Sequence, residues 1–341
     1  MTASATSGSG SLPRPSGTAS PAVPRRDVTV CPRSIVIVGP TASGKSALAL
    51  ELARLLGDSE IVSVDSMQVY RRMDIGTGKV TSEERAETPH HLLDLVEPST
   101  EFSVSWFQSE ARAVLADLAA RGRRAILVGG TGLYHRAVVD DLEIPGEYPE
   151  LRSELEHEAA AGPDAVAALH RRLAVLDPTG ASRCEPTNAR RVVRALEVTM
   201  GSGRPFSSYG PGLEEYPPSD HLMVGLQVER STMLPLIEHR VHTMMAAGFV
   251  DEVRALAAEE PPLSRTARQA LGYRELLSHL AGRSTEADAV AETVVRTRQF
   301  AVRQDRWFRR DPRIEWLPTT CDGPAPTRSL ASFIAGSVDS T

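Results

Sequence analysis

The sequence predicts an α/β fold: a P-loop parallel sheet core flanked by helices, interrupted by a mostly helical insertion domain. Three observations predict it. The runs SIVIVG (34–39), EIVSVD (60–65) and RAILVGG (124–130) are apolar at consecutive positions, as in strands buried on both faces. The stretches KSALALELARLL and WFQSEARAVLADLAARG lie between them and repeat apolar residues at i, i+3 and i+4, the period of helices that cover such a sheet. The first run leads directly into Gly39-Pro40-Thr41-Ala42-Ser43-Gly44-Lys45-Ser46, which matches the phosphate-loop pattern G-x-x-x-x-G-K-[ST].

The elements follow in order. Residues 1–32 are rich in Ser, Gly, Ala, Thr and Pro and poor in large apolar groups, so they cannot offset the entropy of ordering and are expected to form a disordered tail. They are Ser-rich and acid-poor like a transit peptide, but they lack its amphipathic period. The P-loop core is expected over 33–140 plus 220–317. From about residue 141 strand signals stop, and helical segments joined by Pro and Gly breaks fill an insertion domain over 141–219. HLMVGLQV (221–228) then reads as a returning strand, helices resume after 229, and 318–341 reads as a loose tail.

Composition sets limits on function. A chain of 341 residues is too long for one small domain. A net charge of −6 excludes a coat of bulk positive charge for nucleic acid, although not a local basic patch. Cys31, Cys184 and Cys321 form no C-x-x-C pair, which suggests neither a disulfide framework nor a zinc site, but free thiols in a reducing cytoplasm. No apolar run approaches the roughly 18 residues of a membrane span, so no membrane partner is expected.

The loop carries the first chemistry. Its glycines let backbone N–H groups curl around phosphate oxygens, the following helix adds a positive field, Lys45 supplies a charge and Ser46 can ligate Mg²⁺. Such loops most often hold ATP or GTP, yet they recognise phosphate geometry and charge only. Asp65 and Ser66, after the second strand, fall at the carboxyl edge of the sheet beside the loop, where open α/β folds bind ligands. A carboxylate there can assist Mg²⁺, cap a helix or act as a base, and the residues alone rank metal and cap above base.

The ordered set GPTASGKS, VSVDSMQVYRRMDIGTGK, PHHLLDLVEP, ILVGGTGLY, NARRVVRALEV, QALGYREL and TRQFAVRQDRWFRR resembles the bacterial tRNA dimethylallyltransferase family, over about residues 33–317. The resemblance implies transfer of a dimethylallyl group from dimethylallyl diphosphate to the exocyclic N6 amine of the adenosine 3′ of a tRNA anticodon, releasing diphosphate. The chemistry of the loop agrees: a diphosphate leaving group suits it, with Mg²⁺ and Lys45 neutralising charge as the C–O bond breaks. An adenine amine is a poor nucleophile, so a base helps, and the resemblance places that role on Asp65. It further implies that Thr41 and Ser46 bind diphosphate and metal, that Thr131 stands near amine and donor, and that Arg240 contacts the diphosphate. A turn after two glycines would otherwise explain Thr131, and a solvated surface charge Arg240.

For the anticodon stem-loop the resemblance implies Asp65, Ser66, Met67 and Gln68, then Arg190, Arg191, Val192, Val193 and Arg194, then Gln269, Gly272, Tyr273 and Arg274. Independently, Arg296, Arg303, Arg306 and Arg310 recur at helical spacing with Phe300 and Trp307 at the border, a stripe suited to RNA phosphates and bases. The sequence departs from the family at Gly78, Val80, Leu236, His242 and Ala301-Val302, all outside the P-loop, Asp65 and Thr131. A monomer is expected. A P-loop kinase of small metabolites, a transferase acting on free adenylate and a non-catalytic RNA-binding protein are the rivals. The insertion and the arginine stripe argue against the second, and the intact Gly44-Lys45-Ser46 with Asp65 against the third.

Overall fold

The computed structural model describes residues 34–210, 212–319 and 324–338. The tail expected over 1–32 lies outside the described residues. The chain runs β1 (Ile35–Val38), α1 (Lys45–Leu56), β2 (Ser59–Ser63), α2 (Ser82–Glu87), β3 (His90–His91), α3 (Val104–Ala120), β4 (Arg124–Val128) and α4 (Gly132–Val139). The helices α5 (Pro149–Ala159), α6 (Pro163–Leu176), α7 (Pro178–Ser182) and α8 (Ala189–Ser202) follow. The chain then returns through β5 (Leu222–Gln227), α9 (Arg230–Ala246), α10 (Phe249–Ala257), α11 (Arg265–Arg268), α12 (Tyr273–Leu280), α13 (Glu286–Phe308), β6 (Glu315–Pro318) and α14 (Pro324–Val338).

All six strands pair in parallel, in the order β3-β2-β4-β1-β5-β6. The four residues of β1 are fully buried because its alternate side chains enter two different cores. Val36 and Val38 join the layer of α3, α10 and α12, while Ile35 and Ile37 join the layer of α1 and α14. Because β2, β4 and β1 are neighbours, the loops that leave their carboxyl ends converge on one edge of the sheet.

The helices of the insertion bury their own apolar set, including Leu155, Leu169, Leu173, Val192 and Leu196. Prolines start α5, α6 and α7, where a missing N–H costs nothing. Two expectations need correction. The stretch from 318 is not loose throughout: α14 lays Ala331, Ile334 and Val338 on α1, all buried. Strands β3 and β6 also extend the sheet beyond the four read from the sequence, since β3 has two residues and β6 ends at a proline, too little for a visible period.

Candidate active site

The phosphate loop joins β1 to α1 through backbone that side chains resist. Gly39 adopts φ +147°, and a Cβ there would lie 3.1 Å from the Leu226 carbonyl oxygen. Ala42 at φ +62° and Gly44 at φ +82° complete the turn, with Gly44 as the N-cap of α1. No acidic residue occupies the first turn of α1, so its positive end is unopposed there. Lys45 folds back over the loop and donates to the Pro40 carbonyl at 2.6 Å. Ser46 is exposed on the first turn, and Ser43 is buried.

Asp65 follows β2. Its Oδ1 accepts the Met67 N–H at 2.8 Å, closing a local turn. No helix starts here, so the carboxylate caps a turn rather than a helix. Ser66 N–H donates to Thr131 Oγ1 at 3.3 Å, which joins the loop after β2 to the loop after β4. Close approach of these loops requires glycine at 129, where a Cβ would overlap the Val64 carbonyl at 2.0 Å.

Arg240, on α9, is brought into the same group. Burial pulls its pKa down, while the charge of Asp65 opposes that shift. The guanidinium lies against Gly78, where a Cβ would stand 2.1 Å from one terminal nitrogen. The loop that carries Gly78 is held on both sides. Gln68 Nε2 donates to the Thr77 and Gly78 carbonyls at 3.3 Å, and Glu252 accepts the N–H groups of Asp74 (3.0 Å), Ile75 (2.7 Å) and Gly76 (3.2 Å).

The residues expected to meet RNA divide into two sets. Arg190, Arg191, Gln269, Arg274, Arg303 and Arg306 are exposed, as is Arg310 just past α13. Arg303 lies 5.8 Å from the Phe300 ring centre. Val192 and Val193 are corrected: at 0% and 5% exposure they form the core of the insertion, because they fill its inner helical face. Tyr273 and Gly272 are corrected likewise. Tyr273 is fully buried, its hydroxyl donates to Glu252 at 2.5 Å, and burial with that carboxylate raises its pKa; Gly272 packs on Phe249. Arg194 is taken up by the Pro145 and Gly146 carbonyls and by Glu197, and Arg296 by Glu275 and Glu292. Met67 packs partly buried against the main core.

Three residues of this neighbourhood escape the sequence reading: Gln304, Glu252 and His135. Gln304 stands in TRQFAVRQDRWFRR, where attention falls on the arginines. Its spacing from the buried Ala301 and Phe308 marks the inner face and was a usable signal. Glu252 had none, because its partners lie on a distant loop. His135 is 2% exposed, and its ring meets Phe308 edge-on at 5.6 Å. Among the described residues no group of three or more His, Cys, Asp or Glu can hold a metal ion.

Comparison with known proteins places this geometry. Residues 68–311 match the family described as IPP transferase, and residues 32–97 the related isopentenyl transferase family. A tRNA dimethylallyltransferase of Streptomyces avermitilis is 52% identical over 287 residues, covering 84% of this chain and 90% of that one. The enzyme of the same name from Paenarthrobacter aurescens is 49% identical, covering 84% and 91%. Among solved structures, the tRNA isopentenylpyrophosphate transferase of Bacillus halodurans superposes with a TM-score of 0.65 at 36% identity, covering 90% of this chain and 97% of that one. A eukaryotic dimethylallyltransferase acting on tRNA superposes with a TM-score of 0.71 at 26% identity, covering 89% and 79%.

Proposed function

This chain belongs to the IPP transferase family, the tRNA dimethylallyltransferases, and from that premise we propose how its own residues carry out the transfer. The phosphate loop holds the diphosphate of dimethylallyl diphosphate rather than a nucleotide. N–H groups at the start of α1, Lys45 and Arg240 receive the negative charge that builds on the diphosphate as its bond to the allylic carbon breaks. A bond forms between that carbon and N6 of the adenine. The proton leaving N6 passes to Asp65, whose Oδ1 is occupied by Met67 and whose Oδ2 is the oxygen left for it. Thr131 holds the Asp65–Ser66 turn in place through its hydroxyl.

The observation that carries this reading is the meeting of Asp65, Thr131 and Arg240, from three distant parts of one chain, beside a phosphate loop. A small-metabolite kinase would use such a loop too, and what favours the transferase over it is the family match over residues 68–311. Mg²⁺ is the proposed cofactor, held through Ser46 and the diphosphate; when bound it neutralises the leaving group. Exposed Arg190 and Arg191 on the insertion, with Arg303 and Arg306 on α13, are proposed to grip the anticodon stem-loop. Since one chain supplies the whole constellation, the enzyme is proposed to act as a monomer, in the cytoplasm with its tRNA. Among the described residues no helix is long and apolar enough to cross a membrane.

The test is direct. Purified protein is incubated with Mg²⁺ and labelled dimethylallyl diphosphate, with an anticodon stem-loop or AMP as acceptor, and ATP turnover is followed in parallel. Label should enter the stem-loop and not AMP, without ATP consumption. Label confined to AMP, or ATP turnover with no label in RNA, overturns the reading.

A further inference from the structure

Gln304 lies on the inner face of α13 at 7% exposure, and its amide spans the two loops that the proposed reaction uses. Its Oε1 accepts the Thr41 N–H at 2.8 Å, and its Nε2 donates to the Gly130 carbonyl at 2.9 Å. Filling both positions takes one acceptor and one donor on a single planar fork, which a neutral amide supplies. Thr41 opens the phosphate loop. With its N–H held by Gln304, the first half of the loop is anchored. Gly130 immediately precedes Thr131, which in turn holds Ser66 beside Asp65. A Cβ on Gly130 would come within 2.1 Å of Nε2, so the amide seats only because residue 130 is glycine.

We propose that Gln304 is a positioning residue of prenyl transfer, fixing the phosphate loop against the Thr131 loop so that the allylic carbon and the adenine amine meet at reacting distance. The proposal rests on the reading that the loop holds dimethylallyl diphosphate. Gln304 touches neither reactant and acts through the two backbones it joins. Misplacing reacting groups by about 1 Å can cost about 10²-fold in rate, so the amide's loss is expected in turnover rather than in binding. Its neighbours Arg303 and Arg306 point outward, which leaves RNA affinity as a separate readout.

The experiment compares wild type with Gln304→Met, Gln304→Glu and Gly130→Ala in full-length protein. Transfer from dimethylallyl diphosphate to an anticodon stem-loop, stem-loop affinity and thermal unfolding are measured for each. Gln304→Met keeps the length and loses both hydrogen bonds. It should lower kcat about 10²-fold, with donor KM and stem-loop Kd within about threefold of wild type. Gly130→Ala should act in the same direction by displacing the amide. In the Gln304→Glu variant the protonated carboxyl has one donor and one acceptor like the native amide, whereas the carboxylate has no donor. The ratio of Gln304→Glu to wild-type turnover should therefore rise as pH falls from about 8 to about 6, a response that mere packing does not produce. Wild-type transfer with Gln304→Met within about threefold overturns the proposal. So does a loss shared equally by stem-loop affinity and stability with a flat pH ratio. If Gln304→Met does not fold, Gln304→Glu and Gly130→Ala decide by the same criteria. Absence of transfer by the wild type overturns the functional reading itself.

Discussion

The base role proposed for Asp65 falls on a carboxylate whose Oδ1 already accepts the Met67 N–H at 2.8 Å, which leaves Oδ2 outside that turn. Asp65→Asn keeps that turn and removes the proton acceptor. Turnover should fall about 10²- to 10⁴-fold with stem-loop Kd nearly unchanged; survival within about tenfold removes Asp65 from the base role. His135 shows what burial does to a group outside the proposed chemistry. Burial pushes its pKa down to about 3 from 6.5, with a smaller downward push from Lys45 and an upward one from the Gly129 backbone. Below pH 6.5 the unfolded chain binds a proton that the native one refuses, so stability is lost as pH falls from about 6.5 toward 3 and is unaffected above. Between pH 7 and 5, wild type should lose about 2 kcal/mol more than His135→Leu in urea unfolding, and parallel losses would refute this. At this scale the phosphate loop with Lys45 and Ser46 could be read from its own spacing, whereas the residues alone ranked metal and cap above base for Asp65, whose base role came from the resemblance. Glu252 and His135 could not be read, because each is defined by partners or neighbours far along the chain, and for Gln304 the spacing gave the inner face of the helix but not its partners at Thr41 and Gly130.

Among elements, α13 does two things with two faces. Thr285 and Asp288 start it with a reciprocal capping box, Ala301, Gln304 and Phe308 face inward, and Arg303 and Arg306 face out. If the outer face grips RNA phosphates, Arg303→Ala should make the slope of log Kd against log salt shallower by roughly 0.7 to 0.9. An unchanged slope in a binding titration would assign this arginine to bulk solvent. The helix α14 has a purely structural prediction. Ile334 is 1% exposed against α1, so Ile334→Ala should cost about 2–4 kcal/mol in denaturant unfolding while transfer per folded molecule stays constant. Reduced transfer at full folding would show that α14 influences the site. The long amphipathic helices and the consecutive apolar strands could be read because they repeat their period several times. The α14 stripe of Ala331, Ile334 and Val338 is brief and lies among Pro324, Pro326 and Gly336, which made it look like a tail.

In the whole molecule, the proposed grip on RNA asks the insertion to hold its arginines at a set distance from α13, and the two linkers that join it to the core are both clamped. On the incoming side Glu197, fully buried, accepts Tyr148 N–H and Arg152 at 2.8 Å, and Arg194 donates to the carbonyls of Pro145 at 2.9 Å and Gly146 at 3.1 Å. On the outgoing side Arg136 donates to the Leu213 carbonyl and Arg313 to that of Pro217, each at 2.8 Å. The Tyr216 ring lies 4.3 Å from the Arg136 guanidinium and 5.5 Å from that of Arg313. Asp140, its side chain 2% exposed, pairs with both arginines and so ties α4, the linker and the segment before β6 together. Little of this clamp was visible in the sequence: Arg194 and Glu197 are three apart on α8, but their partners at 145–152, and those of Arg136 and Arg313, lie far along the chain. Removing one partner of a buried ion pair strands the charges that remain, so Asp140→Ala should destabilise the protein by about 3–5 kcal/mol in denaturant unfolding. The phosphate loop and Asp65 take no part in the clamp. At a temperature where the variant remains folded, stem-loop Kd should therefore rise while donor KM stays near wild type. A stability change below about 1 kcal/mol would mean that the arginines are satisfied by the linker carbonyls alone. An equal rise in donor KM would mean that the clamp supports the catalytic edge of the sheet rather than the placement of the insertion.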